Sequence, residues 1–338
     1  MKELNAHLKS GNFNKLYVFF GQEAYLIRAY EKRLITAIFG ENPVDADISV
    51  FESDKFNIND IISAAETFPF LSARRLVVLK NSGLMQTGKK DASEKLAGYI
   101  TDMPDTTIIL FIETHKQPDK RSKLYKTVVS GGFSAEFTTP AESELVTWIT
   151  KYLTSEGIGI KPGAAQALLR HIGIGSGEDG IMETLYTEVQ KLAAFKNAGE
   201  IVDIYDIEQL CTQSIEGKIF SLVKEIGTKN LNALLSLSNL ITLKEAPLMI
   251  LGMIARQFRL MLMCKGLRDK GTTPSEISKI SGLRDFMVSD YLRQGANFNE
   301  SALINALSDV LDAEVNIKTG KMADRLAIET LIIKLSTL

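Results

Sequence analysis

The 338-residue sequence is poor in the residues that build disulfide frameworks, metal centres and catalytic triads. It has two cysteines, Cys211 and Cys264, which are too few and too far apart for a disulfide framework or a zinc site. Its three histidines are widely separated, and none has Cys or carboxylate partners at convincing metal-ligand spacing. We therefore predict no metal site and no catalytic residues. The scarcity of cysteine favours a reducing, cytosolic compartment.

The sequence also lacks an excess of charge and a long hydrophobic run. Its 39 basic and 41 acidic residues leave a net charge of −2, so no strong overall field attracts nucleic acid. Any contact with DNA must be local or shared with partner chains. The most apolar run, Ala246–Ala255, contains Pro247 and Gly252 and is well short of the ~20 residues that span a bilayer. The N-terminus shows no signal-peptide core. We predict a cytoplasmic protein without a membrane segment.

The first 140 residues alternate between short apolar runs and helical patterns. The predicted strands are Leu16–Phe20, Ile48–Phe51, Arg75–Leu79, Thr107–Ile112 and Phe133–Phe137, and the predicted helices between them are Ala24–Phe39, Asn59–Thr67 and Ser93–Ile100. Strands separated by helices indicate a largely parallel sheet that is covered on both faces. This region is predicted to be an α/β domain.

The pattern becomes helical after Pro140. Three helices are predicted at Glu142–Ser155, Pro162–Ile172 and Gly180–Ala198, with a short bridging helix at Asp203–Cys211, and apolar residues recur at helical spacing from Gly217 onwards. The predicted domains are therefore residues 1–140 (α/β), 141–211 (a three-helix module) and 212–338 (a helical bundle). The fold class is α/β plus all-α.

A glycine after the first strand of an α/β domain raises the possibility of a nucleotide site. A phosphate-binding loop needs the pattern G-x-x-x-x-G-K-[ST]. The turn at Gly21 has no second Gly, Lys or hydroxyl in register, and Glu23 places a negative charge where phosphate would lie. The segment Gly83–Lys90 matches except at its last position, where Lys90 replaces the magnesium-binding hydroxyl. We predict no cofactor and interpret this segment as a basic loop, with an NTPase site there as the alternative. Glu113, after the fourth strand, is expected to be a solvated strand-end carboxylate.

The segment Thr67–Arg75 joins a predicted helix to the third strand and is unusually apolar for a surface loop. Pro69 restricts the preceding Phe68 to extended conformations, and we expect Phe68 to fold back into the core. For Phe70 and Leu71 two interpretations remain open. They either pack in the core or project from the surface towards a pocket on a partner.

Several strings, taken in their order and spacing, resemble the delta subunit family of the bacterial DNA polymerase III clamp loader over essentially the full length of the chain. They are LYVFFGQEAYL (16–26), FPFLSARRLVVL (68–79), DKRSKLYK (119–126), LYTEVQKL (185–192), GKIF (217–220), IARQFR (254–259) and IKTG (317–320). The resemblance implies a degenerate AAA+ module, which consists of a parallel-sheet α/β domain and a three-helix lid, followed by a helical collar domain. It also implies that the ATP site is not functional.

By the same resemblance, the chain is expected to be a non-catalytic subunit of the polymerase III holoenzyme that binds and opens the sliding clamp for loading onto primed DNA. The family's pair of clamp-binding hydrophobic residues maps onto Phe70 and Leu71, with Pro69 and Arg74 as clamp-proximal neighbours. The order here is Phe-Leu, where Leu-Phe is common in the family.

The remaining expected partners are the tau/gamma and delta-prime siblings, which the chain contacts through the collar, and primed DNA within the complex. The isolated chain is expected to be a monomer. The helix Met249–Arg268 carries Arg256 and Arg259. We interpret it as a core helix with a solvated basic face. The alternative places these arginines near the primer–template backbone.

Overall fold

The computed structural model describes residues 2–41, 43, 45–52, 55–173, 180–228, 230, 232–242 and 246–336. The chain forms two compact units. The first comprises Met1–Thr139 with Asp179–Glu183, and the second comprises Pro140–Glu178 with Thr184–Leu338. The three-domain division, with boundaries after residues 140 and 211, stays a prediction.

The first unit alternates strands and helices as the sequence pattern predicts. Its elements are α1 (Lys2–Ser10), β1 (Leu16–Gly21), α2 (Ala24–Phe39), a 3₁₀ turn (Asp45–Asp47), β2 (Ile48–Glu52), α3 (Ile58–Glu66), β3 (Arg75–Lys80), α4 (Lys90–Tyr99), a second 3₁₀ turn (Ile100–Asp102), β4 (Thr107–Glu113), α5 (Lys123–Gly131) and β5 (Phe133–Phe137). All five predicted strands are present, with ends that agree to within a residue.

The five strands form one parallel sheet in the order β2-β3-β4-β1-β5. Helices cover both faces because successive side chains of the buried strands point to opposite sides. In β1, Val18 belongs to the core beneath α3, α4 and α5, while Tyr17 and Phe19 belong to the core beneath α1 and α2. The carboxyl ends of the strands meet at one edge, where the loops after β1, β3 and β4 lie.

Two helices of this unit are not among the sequence predictions, because their local signals are weak. α1 is mostly polar and is anchored by the fully buried Leu4. α5 contains β-branched residues, which lower helix propensity. It forms because the Ser122 side chain caps its first turn and because Leu124 and Val128, four residues apart, are buried.

The second unit is almost entirely helical. Its elements are α6 (Glu142–Ser155), β6 (Gly159–Ile160), α7 (Ala164–His171), α8 (Ile181–Phe195), β7 (Ile201–Val202), α9 (Ile204–Leu210), α10 (Ile215–Gly227), α11 (Asn232–Thr242), α12 (Pro247–Asp269), α13 (Pro274–Ser281), α14 (Asp285–Gly295), α15 (Glu300–Lys318) and α16 (Asp324–Leu335), with the first residues of α8 in the first unit. Strands β6 and β7 pair in parallel and have two residues each, too few for a periodic pattern.

The long helix α12 lies in the core of the second unit. Ile250, Ile254, Phe258 and Met261 are fully buried there among residues of the neighbouring helices. By length and composition alone, α12 could cross a membrane, but a buried core helix passes the same test, and one such helix is weak evidence. Pro247 begins the helix at a position where the missing N–H costs nothing.

Candidate functional site

The loop between α3 and β3, residues 67–74, presents three large apolar side chains to solvent. The exposed fractions are 77% for Phe68, 79% for Phe70 and 64% for Leu71, while Pro69 and Arg74 are partly buried. The question left open for Phe70 and Leu71 is therefore decided in favour of exposure. Exposed apolar residues in a group are typical of protein-binding surfaces.

The expectation that Phe68 packs in the core is wrong. The core face of α3 carries Ile61 and Ala65, and one more helical step would bring residue 68 onto the same face. The helix ends at Glu66, however, and Thr67 is already extended with φ −64° and ψ 124°. Phe68 therefore leaves the helix axis before it can reach the core.

A buried carboxylate lies beneath this loop. Asp47 is fully buried, and its side chain accepts three consecutive backbone N–H groups. Oδ1 accepts the N–H of Phe70, and Oδ2 accepts those of Leu71 at 2.9 Å and Ser72 at 2.8 Å. Together these bonds hold the pKa of Asp47 below its usual value, and the bond from Phe70 has the largest effect. Sequence reasoning missed Asp47, since its partners are more than twenty residues away.

Arg75, the first residue of β3, braces the ends of the loop. Its guanidinium is buried and donates to the carbonyl of Ala46 at 3.2 Å, to Ser49 Oγ at 2.8 Å and, through Nε, to the carbonyl of Ala64. One side chain therefore connects the end of α3, the 3₁₀ turn that carries Asp47 and strand β2. The loop starts and ends on this fixed support.

The turn after β1 has no phosphate cradle. Gly21 adopts φ +134°, and a Cβ there would lie 2.3 Å from the carbonyl oxygen of Phe137. Glu23 is fully buried, and its carboxylate accepts bonds from Thr139 Oγ1 at 2.8 Å and from the backbone N–H of Met182 at 3.1 Å. A negative side chain thus occupies the end of the strand where a phosphate would need N–H donors.

The loop Gly83–Lys90 is packed against the protein. Leu84 and Met85 are fully buried, so this part of the loop fills the core instead of wrapping an anion. The Nζ atom of Lys89 donates to the carbonyl of Ser82 at 3.1 Å and lies 4.7 Å from the centre of the Phe56 ring. The lysine that a phosphate loop would use is therefore already engaged.

Glu113 is buried beneath the same loop, which corrects the expectation of a solvated carboxylate. It accepts a bond from Ser82 Oγ at 3.2 Å. Burial raises the pKa of Glu113 to about 7, even though the N–H groups of Ser82 and Gly83 and the charge of Lys89 oppose the increase. The reason for the burial is that the Gly83–Lys90 loop folds over the end of β4, an arrangement with no local sequence signal.

The two arginines of α12 have different surroundings. Arg256 forms an ion pair with Glu216 at 3.1 Å and is partly buried. Arg259 is exposed, and no ion pair to it occurs in the described part of the chain. Of the two, Arg259 is the more accessible to a phosphate.

Comparison with known proteins identifies the family. The sequence-family model of the DNA polymerase III delta subunit matches residues 17–131, and the family model of its C-terminal domain matches residues 216–335. The chain is 27% identical over 335 residues to DNA polymerase III subunit delta of Bacillus subtilis, covering 97% of this chain and 94% of the relative.

One solved structure agrees with this match. The DNA clamp loader delta protein of Bacillus subtilis superposes with a TM-score of 0.61 and 25% identity over 100% of this chain and 99% of its own. A RuvB Holliday junction branch migration motor of Thermotoga maritima gives a TM-score of only 0.39 at 12% identity, covering 87% of this chain and 85% of its own.

The parallel-sheet α/β domain, the helical second unit and these matches define a clamp loader component, as the sequence predicted. The chain belongs to the DNA polymerase III delta subunit family.

Proposed function

We propose that this chain binds the sliding clamp through Phe70 and Leu71 and opens it for loading onto primed DNA. The observation that carries the proposal is the exposure of these two adjacent apolar side chains on a loop whose backbone is hydrogen-bonded to a buried carboxylate. Burying a large apolar side chain contributes about 1.5–3 kcal/mol, so two of them can form the hot spot of an interface.

Opening the clamp requires more than attachment to it. A ligand shifts an equilibrium only by the difference between its affinities for the two states, so the chain must bind the open clamp more tightly than the closed one. Phe70 and Leu71 supply the attachment, while the surface beside them, with Pro69 and Arg74, disfavours the closed geometry.

The chain acts without hydrolysing ATP, and sibling subunits supply that reaction. Support comes from the buried Glu23 carboxylate at the end of β1 and from the engaged Lys89 in the Gly83–Lys90 loop. The alternative, an active NTPase at Gly83–Lys90, would need Lys89 and a metal-binding hydroxyl, which Lys90 replaces.

The partners are the clamp, the sibling subunits and primed DNA, in a cytoplasmic complex; the isolated chain is a monomer. The helical C-terminal region carries an exposed apolar row on α15, where Ile304, Leu311 and Val315 recur at helical spacing. This row supports assembly with siblings through the collar. Arg259 is available for a phosphate of the primer–template.

The test is to measure binding of the full chain to its cognate clamp, together with fluorescence reporting separation of one clamp interface. A Phe70→Ala/Leu71→Ala variant should stay folded and lose most of its affinity and opening activity. The matched control is Phe195→Ala, which removes another exposed aromatic ring, 59% exposed, from α8. Equal affinities of wild type and double variant would refute the assignment.

A nucleotide-binding measurement distinguishes the proposed clamp-binding subunit from an active NTPase. Tight ATP binding by the isolated chain, abolished by Lys89→Ala, would favour the NTPase. We expect no such binding, because Lys89 is held by the Ser82 carbonyl and the Phe56 ring.

A further inference from the structure

We propose that Asp47 is a positioning residue for clamp binding: its carboxylate holds the backbone of residues 70–72 in the conformation that presents Phe70 and Leu71. This inference rests on the proposed function of the loop. It assigns a role to a buried side chain that does not itself contact the clamp.

The hydrogen bonds of the loop point to Asp47. From Phe68 to Arg74, every hydrogen bond within the described residues ends on its carboxylate. The donors are three successive backbone N–H groups. A carboxylate has two oxygens with about four lone-pair sites, so one side chain can satisfy all three donors.

Asp47 is itself fixed. It ends the 3₁₀ turn that leads directly into β2 and is fully buried. The neighbouring carbonyl of Ala46 and the hydroxyl of Ser49 are both held by Arg75, which starts β3. The carboxylate is therefore attached to the sheet directly through β2 and, by way of Arg75, through β3, and it transmits that rigidity to residues 70–72.

A held backbone matters because the side chains of Phe70 and Leu71 have few neighbours of their own. An unrestrained loop would sample many conformations, including some that cover these side chains, and would lose that freedom on binding. Ordering flexible segments on association weakens affinity, and preorganisation removes this cost. The bonds to Asp47 thus allow apolar residues to stay exposed and ready to bind.

The chemistry predicts that Asn can replace Asp47 only in part. Asparagine has the same shape, but one of its oxygens is replaced by an NH₂ group, which would face N–H donors. If Asp47 served only to fill space, Asp47→Asn would be silent. If it serves as the acceptor, Asp47→Asn should free at least one of the three amides, because the NH₂ group cannot accept a hydrogen bond, and Asp47→Ala should free all three. The isosteric variant therefore separates the two roles.

The first experiment measures amide hydrogen exchange of the full chain without any clamp. In Asp47→Asn, at least one of the amides of Phe70, Leu71 and Ser72 should exchange at least about tenfold faster, while the sheet stays protected. The matched control is Asp119→Asn, which removes a carboxylate that accepts a loop N–H from Arg121 elsewhere in the same unit. Unchanged exchange at residues 70–72 would overturn the proposal.

The second experiment measures clamp affinity in a double-mutant cycle. Asp47→Asn should weaken clamp binding about tenfold in the wild type and have no further effect in the Phe70→Ala/Leu71→Ala background, because it acts through those side chains. An equal loss in both backgrounds would contradict the proposal. If the Phe70/Leu71 change itself leaves binding intact, the proposed function fails, while the exchange experiment still decides the role of Asp47.

A milder variant covers the case in which Asp47→Asn does not fold. Ser72→Ala removes a hydroxyl that helps to hold the pKa of Asp47 low, and it leaves the three N–H bonds. It should accelerate exchange at residues 70–72 about two- to threefold with unchanged thermal stability. Exchange identical to that of the wild type would count against the carboxylate as the anchor of the loop.

Discussion

Replacing Phe68 by alanine should barely change the stability of the fold. Its side chain is 77% exposed, so only about a quarter of its surface is covered by the protein. Full burial of a phenylalanine contributes up to about 3 kcal/mol, and the covered part therefore accounts for less than about 1 kcal/mol. A phenylalanine that packed in the core would instead cost about 3–5 kcal/mol when truncated.

The assay is urea unfolding of wild type and Phe68→Ala, with Phe111→Ala as the reference for a fully buried ring of the same sheet domain. We expect the Phe111 variant to lose about 3–5 kcal/mol of the free energy of unfolding and the Phe68 variant to lose less than about 1 kcal/mol. Similar losses in the two variants would refute the reasoning. Clamp affinity of the Phe68 variant then reports whether this ring joins Phe70 and Leu71 in the interface.

Three further predictions concern other parts of the chain. Burial raises the pKa of Glu113 to about 7, so the folded state retains a proton that the unfolded chain loses near pH 4.5, and the carboxyl lowers stability progressively as the pH rises through this range. Urea unfolding of Glu113→Gln at about pH 5 and pH 7.5 should lack this decline, which amounts to at most about 3 kcal/mol; an identical decline in both proteins would contradict the assignment. Gly21→Ala should destabilise the fold by about 2–4 kcal/mol, since its Cβ would meet the Phe137 carbonyl and its φ is positive; a normal melting temperature would rule this out. Arg259→Ala should lower the affinity of the assembled loader for primed DNA by about two- to fivefold and make that affinity less dependent on salt concentration. Arg256→Ala should lower the affinity less. The reverse ranking of the two variants would count against a phosphate contact at Arg259.

Local patterns predicted most of the secondary structure. The five strands are short apolar runs bounded by polar or glycine-containing segments, and α6 begins at Glu142, where Glu144 accepts the N–H of Ala141. Such signals depend on residues within one or two turns of each other, so they are visible without the fold. α1 and α5 were not predicted because their local signals are weak: α1 is mostly polar, and α5 contains β-branched residues that lower helix propensity.

The candidate site was likewise predictable from the sequence only in part. The sequence places Phe70 and Leu71 beside Pro69 in a short connection, and the family resemblance assigns them to clamp binding. It could not reveal whether they are exposed, and it led to the wrong expectation for Phe68. Burial depends on where a helix ends relative to the sheet, and α3 ends one step before residue 68 could turn inward.

By itself, the sequence determined the α/β and helical regions, the absence of a standard phosphate loop and the position of the apolar connection, because each of these follows from the identity and spacing of nearby residues. Only the tertiary structure decided that Asp47 meets the amides of residues 70–72, that Glu113 is buried and that Glu23 is bound to Thr139. Each of these contacts joins segments that are distant in sequence. The sequence does not show whether a given carboxylate faces solvent or a set of N–H donors. The packing of the whole domain determines those surroundings.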